Sequence, residues 1–364
     1  MKFEIQAFGD VSLSGLHTDP QYYNGLAESL RKLEYEIGKP HLRMLNWEAP
    51  ITTQYTYHDT KKLILAATES SANNFLNNFK IDVACLANNH IYDCKIDGVK
   101  SSLKTLQRYD VSTSGIGIGS DGPTLSIKMI GKIKIGIASF MGDETNPYRP
   151  ENIDANHTVL NLENIERLIP QYAEEVDFLI LNFHWGIEYT QYPKLEQKQL
   201  AKKAVDLGAR VIVGHHSHCL QGAEHYNNGF IMYSLGNFVF SGLKGKESFG
   251  WPPFCNRGGM YRLFIDEELN ITEAFVPFFV SNTGLTAGNS DKSIKRQKTI
   301  SKRLKFQGRM YRFYYWSNSI YNYFFRLPLF LMKTKGGIFK GFMTYLKPKY
   351  FMLIFGYFFK KKNV

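Results

Sequence analysis

Two runs of the chain, Val83-Ala84-Cys85-Leu86-Ala87 and Phe178-Leu179-Ile180-Leu181, are apolar at every position. A strand with one wet face alternates apolar and polar residues, so an unbroken run of this kind reads as a strand covered on both sides. Such a strand needs layers above and below a mostly parallel sheet, which restricts the chain to an α/β architecture. Strands are predicted at about 3–8, 43–46, 82–87, 133–140, 177–183, 210–213 and 230–233. Amphipathic stretches at about 62–79, 96–109, 162–175 and 195–207 predict helices between them. Turn residues at Gly131-Lys132 and around 267–270 predict two hairpins that add antiparallel pairs.

Of 364 residues, 44% are hydrophobic and 21% charged, which excludes a disordered or collagen-like chain. No segment reaches the roughly 18 uninterrupted apolar residues of a membrane-spanning helix. The four cysteines, Cys85, Cys94, Cys219 and Cys255, show no paired CxxC spacing and are too few for a disulfide framework, so they read as reduced thiols. Met1-Lys2-Phe3-Glu4-Ile5-Gln6 alternates like a strand and carries an acid where a signal peptide has a basic start, so the expected location is cytoplasmic.

Charge divides the chain unevenly. Of 44 lysines and arginines, 18 lie between Lys292 and Val364 with no acid among them, leaving 26 basic against 33 acidic residues in 1–291. The same stretch carries 20 aromatic residues. Two units are therefore expected, an acidic body over 1–285 and a basic aromatic tail over 286–364. Lys295, Lys298, Lys302, Lys305, Arg309 and Arg312 form one stripe on a helix, with Ile300, Leu304, Tyr311 and Tyr315 opposite it. Such a helix suits an anionic membrane surface, as do the apolar stretches 323–332 and 350–359, the latter closed by Lys360-Lys361-Lys362. The alternative is a helical piece whose aromatics pack on the body. An anionic polymer is a further partner for this surface, and nucleic acid is disfavoured because no recognised motif accompanies the charge.

The informative polar residues fall just after the strands, where open α/β sheets bind ligands. Asp10 follows the first strand, Asn46-Trp47-Glu48 the second, Asn88-Asn89-His90 with Asp93 the third, His184-Trp185-Gly186 a later one, and Gly214-His215-His216-Ser217-His218 another. Taken singly, Asp10 is a turn residue, Glu48 a surface acid and His184 a core histidine. Three imidazoles within 215–218, however, serve no packing need. Together the carboxylates, amide and imidazoles make a ligand set for one or two borderline divalent metals. Ala155-Asn156-His157 spells a similar Asn-His pair but follows no strand, and Gly115–Gly119 lacks the Lys-Ser/Thr ending of a phosphate loop.

The ordered strings FGD at 8–10, NWE at 46–48, ANNHIYD at 87–93, HWGIEY at 184–189, GHHSHCLQG at 214–222 and SLGNFVF at 234–240 resemble the metallophosphoesterase superfamily, and within it the CapA/PgsA-like capsule-synthesis branch associated with poly-γ-glutamate. The resemblance implies a four-layer α/β/β/α sandwich, here followed by the basic aromatic helical tail, and one or two divalent ions (Mn, Fe, Zn or Mg). It implies that Asp10 and His218 bind a first metal, Glu48 bridges, and Asn89, His184 and His216 bind a second. His90, steadied by Asp93, becomes a general acid, while His215, Glu188, Tyr189 and Asn237 line the substrate pocket. Two departures stand out: Ser12 occupies a place where most catalytic members have histidine, and Glu48 one where they have aspartate.

Two functions follow as expectations. The first is a metal-dependent hydrolase or transferase acting on a phosphoester or amide in capsular or exopolymer biosynthesis, held at the inner membrane face and working with other polymer-synthesis proteins. The second is a non-catalytic metal-binding subunit of a polymer synthase or export complex.

Overall fold

Along the Phe178–His184 strand, Phe178 and Ile180 enter one apolar cluster while Leu179, Leu181 and Phe183 enter another. The Leu42–Trp47 strand divides likewise, with Leu42 and Met44 on one side and Leu45 and Trp47 on the other. Successive side chains of a strand point to opposite faces, so each of these strands is covered twice. The cluster they share also holds Ile5, Val83, Ile137 and Val213, and is the seam between two sheets. The computed structural model describes residues 3–52, 64–145, 153–240, 252, 254–281, 284–287 and 291–326.

In the first sheet the strands lie in the order Gly284–Ala287, Ile271–Ser281, Arg257–Ile265, Phe3–Ser12, Leu42–Trp47, Val83–Cys85 and Ser112–Ser114, with Asn237–Phe240 also paired to Phe3–Ser12. The last four of the ordered series are parallel. In the second sheet the order is Ala223–Tyr226, Gly229–Met232, Val211–His215, Phe178–His184, Ile133–Met141 and Ser126–Ile130. Its inner four strands are parallel, and both edges are hairpin partners. The hairpins expected at 131–132 and 267–270 are present.

Helices Pro20–Ile37, Glu69–Asn78 and Lys95–Arg108 cover the outer face of the first sheet. Leu162–Glu175, Leu195–Asp206, Asp291–Leu304 and Gly308–Tyr321 cover the second. The layers are α/β/β/α, as the resemblance implied.

Three readings of the sequence are corrected. Helix Pro20–Ile37 was not among those expected, although its start is written in the chain: Asp19 accepts from the Gln21 N–H and Pro20 occupies the first turn. The helix expected over 62–79 begins at Glu69, where the Thr68 hydroxyl accepts from the Ser71 N–H, and residues 62–63 lie outside the described ones. The single basic helix over 295–312 is two helices, Asp291–Leu304 and Gly308–Tyr321, broken where Gly308 takes a φ of 55°.

The apolar side of this pair does not face outward. Ile300, Leu304, Tyr311 and Tyr315 are buried in the second outer cluster with residues of the body. The Lys198 ammonium donates to the Leu304 carbonyl and lies 4.0 Å from the Tyr311 ring centroid, and the Tyr311 hydroxyl donates to the Pro193 carbonyl at 2.6 Å. Most of the 323–332 stretch and all of 350–359 lie outside the described residues.

Candidate metal centre

Parallel neighbours end on the same side of a sheet, which gathers the strand-end residues. Asp10 stands opposite Asn46 on one flank and Asn237 on the other, and in the second sheet His184 stands opposite His215. Two glycines allow the close approach. A Cβ on Gly9 would lie 1.9 Å from the Gly236 carbonyl oxygen, and one on Gly214 would lie 2.0 Å from that of Tyr233. Through the first gap the Asp10 N–H donates to the Gly236 carbonyl at 3.0 Å. His216 and His218 adopt φ of 82° and 53°, left-handed values that side chains avoid and that cluster at functional sites.

Asp10 is the hub. Its Oδ1 accepts from Asn46 Nδ2 at 2.9 Å and lies 2.9 Å from His215 Nδ1. Its Oδ2 lies 3.5 Å from His218 Nδ1, which is also 2.9 Å from Asn237 Oδ1. The other His218 nitrogen, Nε2, faces Glu48 Oε1 at 3.8 Å. Asp10, Glu48 and His218 are all buried and can bring ligand atoms within 4.8 Å of one another, a group able to hold a metal ion.

A second set adjoins it. His184 Nε2 lies 2.8 Å from Asn89 Oδ1, and the His184 and His216 ring centroids are 4.9 Å apart. Asn46 Nδ2 lies 3.4 Å from His184 Nδ1, so this one amide touches both sets. Beside them His90 Nδ1 is 2.6 Å from Asp93 Oδ2, which also accepts from the Leu65 N–H at 2.7 Å.

Burial sets the charge states. Burial and the adjoining His218 charge push His216 down to about 3, which leaves it a neutral imidazole with a lone pair to offer. His184 is held well below its ordinary value by burial and by His216. Burial also works against a cationic His218, but Glu48 and Asp10 outweigh it and hold its pKa up at about 10. Burial opposes the charged form of Asp10, and the hydrogen bonds from His215 and His218 overcome it and keep the carboxyl well below its ordinary range. The buried atoms His216 Nδ1 and His215 Nε2 have no hydrogen-bond partner among the described residues. The neutral imidazoles of His184 and His216 suit a borderline divalent cation, and between Asp10 and Glu48 the charge of such a cation would take the place of the proton that His218 carries.

The sequence-derived residues Asp10, Glu48, Asn89, His90, Asp93, His184, His215, His216, His218 and Asn237 thus come together. Glu188 and Tyr189 are half-buried at the margin: Glu188 acts electrostatically on His218, and Tyr189 packs against Cys219, Phe254 and Cys255. All four cysteines are free, yet Cys219 Sγ and Cys255 Sγ are 2.9 Å apart. The sequence reading left two residues without a role. Asn46 was visible in the NWE string. Asn182 shares the face of His184, and both its side-chain polar atoms are buried without a hydrogen-bond partner among the described residues. A lone amide in an apolar strand was its signal. Ala155–His157 forms a short strand paired with Ile116–Ile118, and His157 Nδ1 lies 2.9 Å from the Tyr92 hydroxyl.

Comparison with known proteins places the chain in a family. The model of the bacterial capsule synthesis protein family PGA_cap matches residues 4–242. The chain is 30% identical over 197 residues to the PGA biosynthesis protein CapA of Bacillus subtilis (strain 168), covering 54% of this chain and 52% of that protein. It is 31% identical over 203 residues to the capsule biosynthesis protein CapA of Bacillus anthracis, covering 54% of this chain and 49% of that one. The chain therefore spans about half the length of the curated relatives it matches. Among solved structures it is similar to the NAD nucleotidase NadN of Haemophilus influenzae, at 14% identity and a TM-score of 0.47, covering 84% of this chain and 63% of that chain. Every residue gathered around Asp10 lies inside the matched span, and the chain belongs to the bacterial capsule synthesis family PGA_cap.

Proposed function

We propose that this chain is a metal-dependent hydrolase or transferase that acts on a phosphoester or amide bond during synthesis of a capsular or exopolymer. The observation that carries this reading is His90, held by Asp93 at 2.6 Å with its other nitrogen 4.0 Å from Glu48. A module that only bound metal would have no use for an imidazole oriented in this way, whereas a general acid needs that orientation.

In this reading Asp10, Glu48 and His218, once its proton is displaced, would hold one divalent ion, and Glu48, Asn89, His184 and His216 would hold a second, drawn from Mn, Fe, Zn or Mg. Such ions lower the pKa of water and neutralise charge on an attacked phosphoryl or acyl centre. The chain's own groups do the rest. Asp93 accepts from His90 Nδ1 and leaves Nε2 to give its proton to the departing oxygen or nitrogen. His215 and Asn46 hold the Asp10 carboxylate, and Asn237 orients His218, as outer partners of metal ligands do. His215, Glu188, Tyr189 and Asn237 face the substrate, an anionic polymer such as poly-γ-glutamate or an acidic polysaccharide.

One observation favours the other reading, a non-catalytic metal-binding subunit of a synthase or exporter. Ser12 Oγ is 2.7 Å from Ser14 Oγ, so the first set of ligands gains no imidazole at that position. Metal analysis of the purified chain, combined with a screen of phosphoester and γ-glutamyl substrates, separates the two. The enzyme reading expects bound metal and turnover that a chelator abolishes. Full metal without turnover on any substrate favours the subunit.

The reading includes peripheral attachment to an anionic membrane at its inner face through the basic aromatic residues 327–364, alongside other polymer-synthesis proteins. Among the described residues no helix is long and apolar enough to cross a membrane.

A further inference from the structure

Where helices Asp291–Leu304 and Gly308–Tyr321 meet the chain that follows His184, they leave a groove of about 430 Å³. Gln191, Tyr192, Arg296, Arg303, Asn318 and Arg326 line it, and among the described residues no carboxylate does. Three guanidinium groups around one groove repel one another, and arginines with a structural task are ordinarily tied to a carboxylate. These are not. Arg303 donates to the Tyr192 hydroxyl at 2.7 Å and lies 4.9 Å from the Tyr314 ring centroid. Arg326 lies 4.8 Å from the Phe254 ring centroid and 5.7 Å from that of Tyr321, and reaches Asn322 Oδ1 at 3.5 Å. Arg296 has neither hydrogen bond nor ion pair among the described residues. Burial and then the neighbouring charges of Arg326 and Arg257 depress its pKa, as expected of a buried cation beside other cations. Rings, a hydroxyl and an amide oxygen therefore hold two of these groups in place, and among the described residues none of these partners carries a counter-charge.

The groove adjoins the metal centre through two segments. Residues 185–190 run directly from His184 to Gln191, and on the way Tyr189 donates its N–H to the Ser217 carbonyl at 2.8 Å and accepts from Asn322 Nδ2 at 3.2 Å. Cys219, the residue after His218, lies near Arg296, and its sulfur meets that of Cys255, next to the Phe254 ring beneath Arg326. A ligand in the groove thus sits beside the residues that hold His184 and His218.

We propose that this arginine groove binds an oxyanion, a carboxylate or a phosphate, carried by the polymer chain that the metal centre processes. Guanidinium groups match both planar carboxylate and phosphate through paired N–H donors, and a groove of this size takes one or two such groups. The assignment of the ligand as part of the substrate rests on the enzyme reading given above, whereas the binding itself does not.

The test uses the full chain loaded with metal, titrated by calorimetry at physiological ionic strength with tri-glutamate and, separately, with tripolyphosphate. Short probes keep non-specific attraction to the tail small, and Lys360→Gln/Lys361→Gln/Lys362→Gln controls for it. Binding of one or both probes is expected, and the probe that binds identifies the oxyanion. Arg296→Gln should weaken binding about tenfold, the effect of losing one charge-assisted contact. Arg296→Gln/Arg326→Gln should weaken it further, and Arg296→Lys should recover part of the loss. Metal content and melting temperature should stay at the wild-type level in the Arg296 variants, and the tail variant should bind as the parent does. Absence of binding by either probe, unchanged affinity in the arginine variants, or loss confined to the tail variant each overturns the proposal. Because these readouts do not require turnover, a chain that binds the probes but hydrolyses nothing would refute the enzyme reading and leave the groove assigned.

Discussion

His90 and Asp93 form a pair in which Nδ1 lies 2.6 Å from the carboxylate while the opposite ring nitrogen points toward Glu48, 4.0 Å away. The spacing of three residues and the turn at 89–94 bring the two together, and burial shields the contact from water. His90→Asn should reduce turnover by about 10² to 10⁴, the usual contribution of a general acid, with metal content unchanged. Equal turnover in the variant and the parent would remove His90 from the chemistry.

The two proposed ligand sets are unequal. Asp10, Glu48 and His218 provide three side chains, and Ser12 adds no imidazole, whereas Glu48, Asn89, His184 and His216 provide four. Dialysis against a mild chelator should withdraw one equivalent of metal before the other. His218→Ala should make the weaker ion undetectable while the tighter one is retained. Simultaneous loss of two ions at one affinity would contradict this assignment.

Gly9 is required by the passage of another backbone rather than by its own torsion, since a Cβ there would lie 1.9 Å from the Gly236 carbonyl oxygen. Gly9→Ala should destabilise the fold by at least about 1 to 3 kcal/mol, the usual cost of overpacking, and lower metal content by displacing Asp10. Gly122→Ala, where a Cβ meets nothing within 4 Å, is the control and should melt with the parent.

His17 is buried, and its Nδ1 has no hydrogen-bond partner among the described residues. Burial pushes its pKa down to about 4 from 6.5. The unfolded chain therefore binds the extra proton first as acidity rises. The stabilisation is complete above about pH 6.5 and is lost as pH falls through about 4, amounting to about 3 kcal/mol for this group. In urea titrations the stability difference between pH 7 and pH 4.5 should shrink in His17→Leu, and an undiminished difference would show that other groups carry the acid response.

The helix pair after residue 290 belongs to the core, because Leu304 and Tyr311 are buried against the body. Leu304→Ala should cost about 2 to 5 kcal/mol in stability, as large-to-small core changes do. A chain ending at residue 290 should aggregate, whereas one ending at 326 should fold and keep its metal. The chain ending at 326 should also lose salt-sensitive binding to anionic vesicles, since each basic residue near such a surface contributes about 1 kcal/mol. Retention of vesicle binding by that chain would place the membrane contact elsewhere.

Much of the fold was legible in the sequence. Runs such as Val83–Ala87 and Phe178–Leu181 can be apolar throughout only if both faces are covered, and that requirement by itself called for layers around parallel sheets. Parallel strands end on a common side, so the order of Asp10, Glu48, Asn89, His184 and the 215–218 imidazoles already implied convergence. The tertiary structure decided what periodicity cannot express. The stripe of Ile300, Leu304, Tyr311 and Tyr315 marks an apolar face, but that pattern is the same whether lipid or protein covers it, and only packing on the body distinguishes the two. Asn46 gained its place between Asp10 and His184, and Arg296, Arg303 and Arg326 their shared groove, from contacts between segments far apart in the chain. Local sequence sets which way each side chain turns from its own backbone. What meets it there depends on how sheets and helices stack.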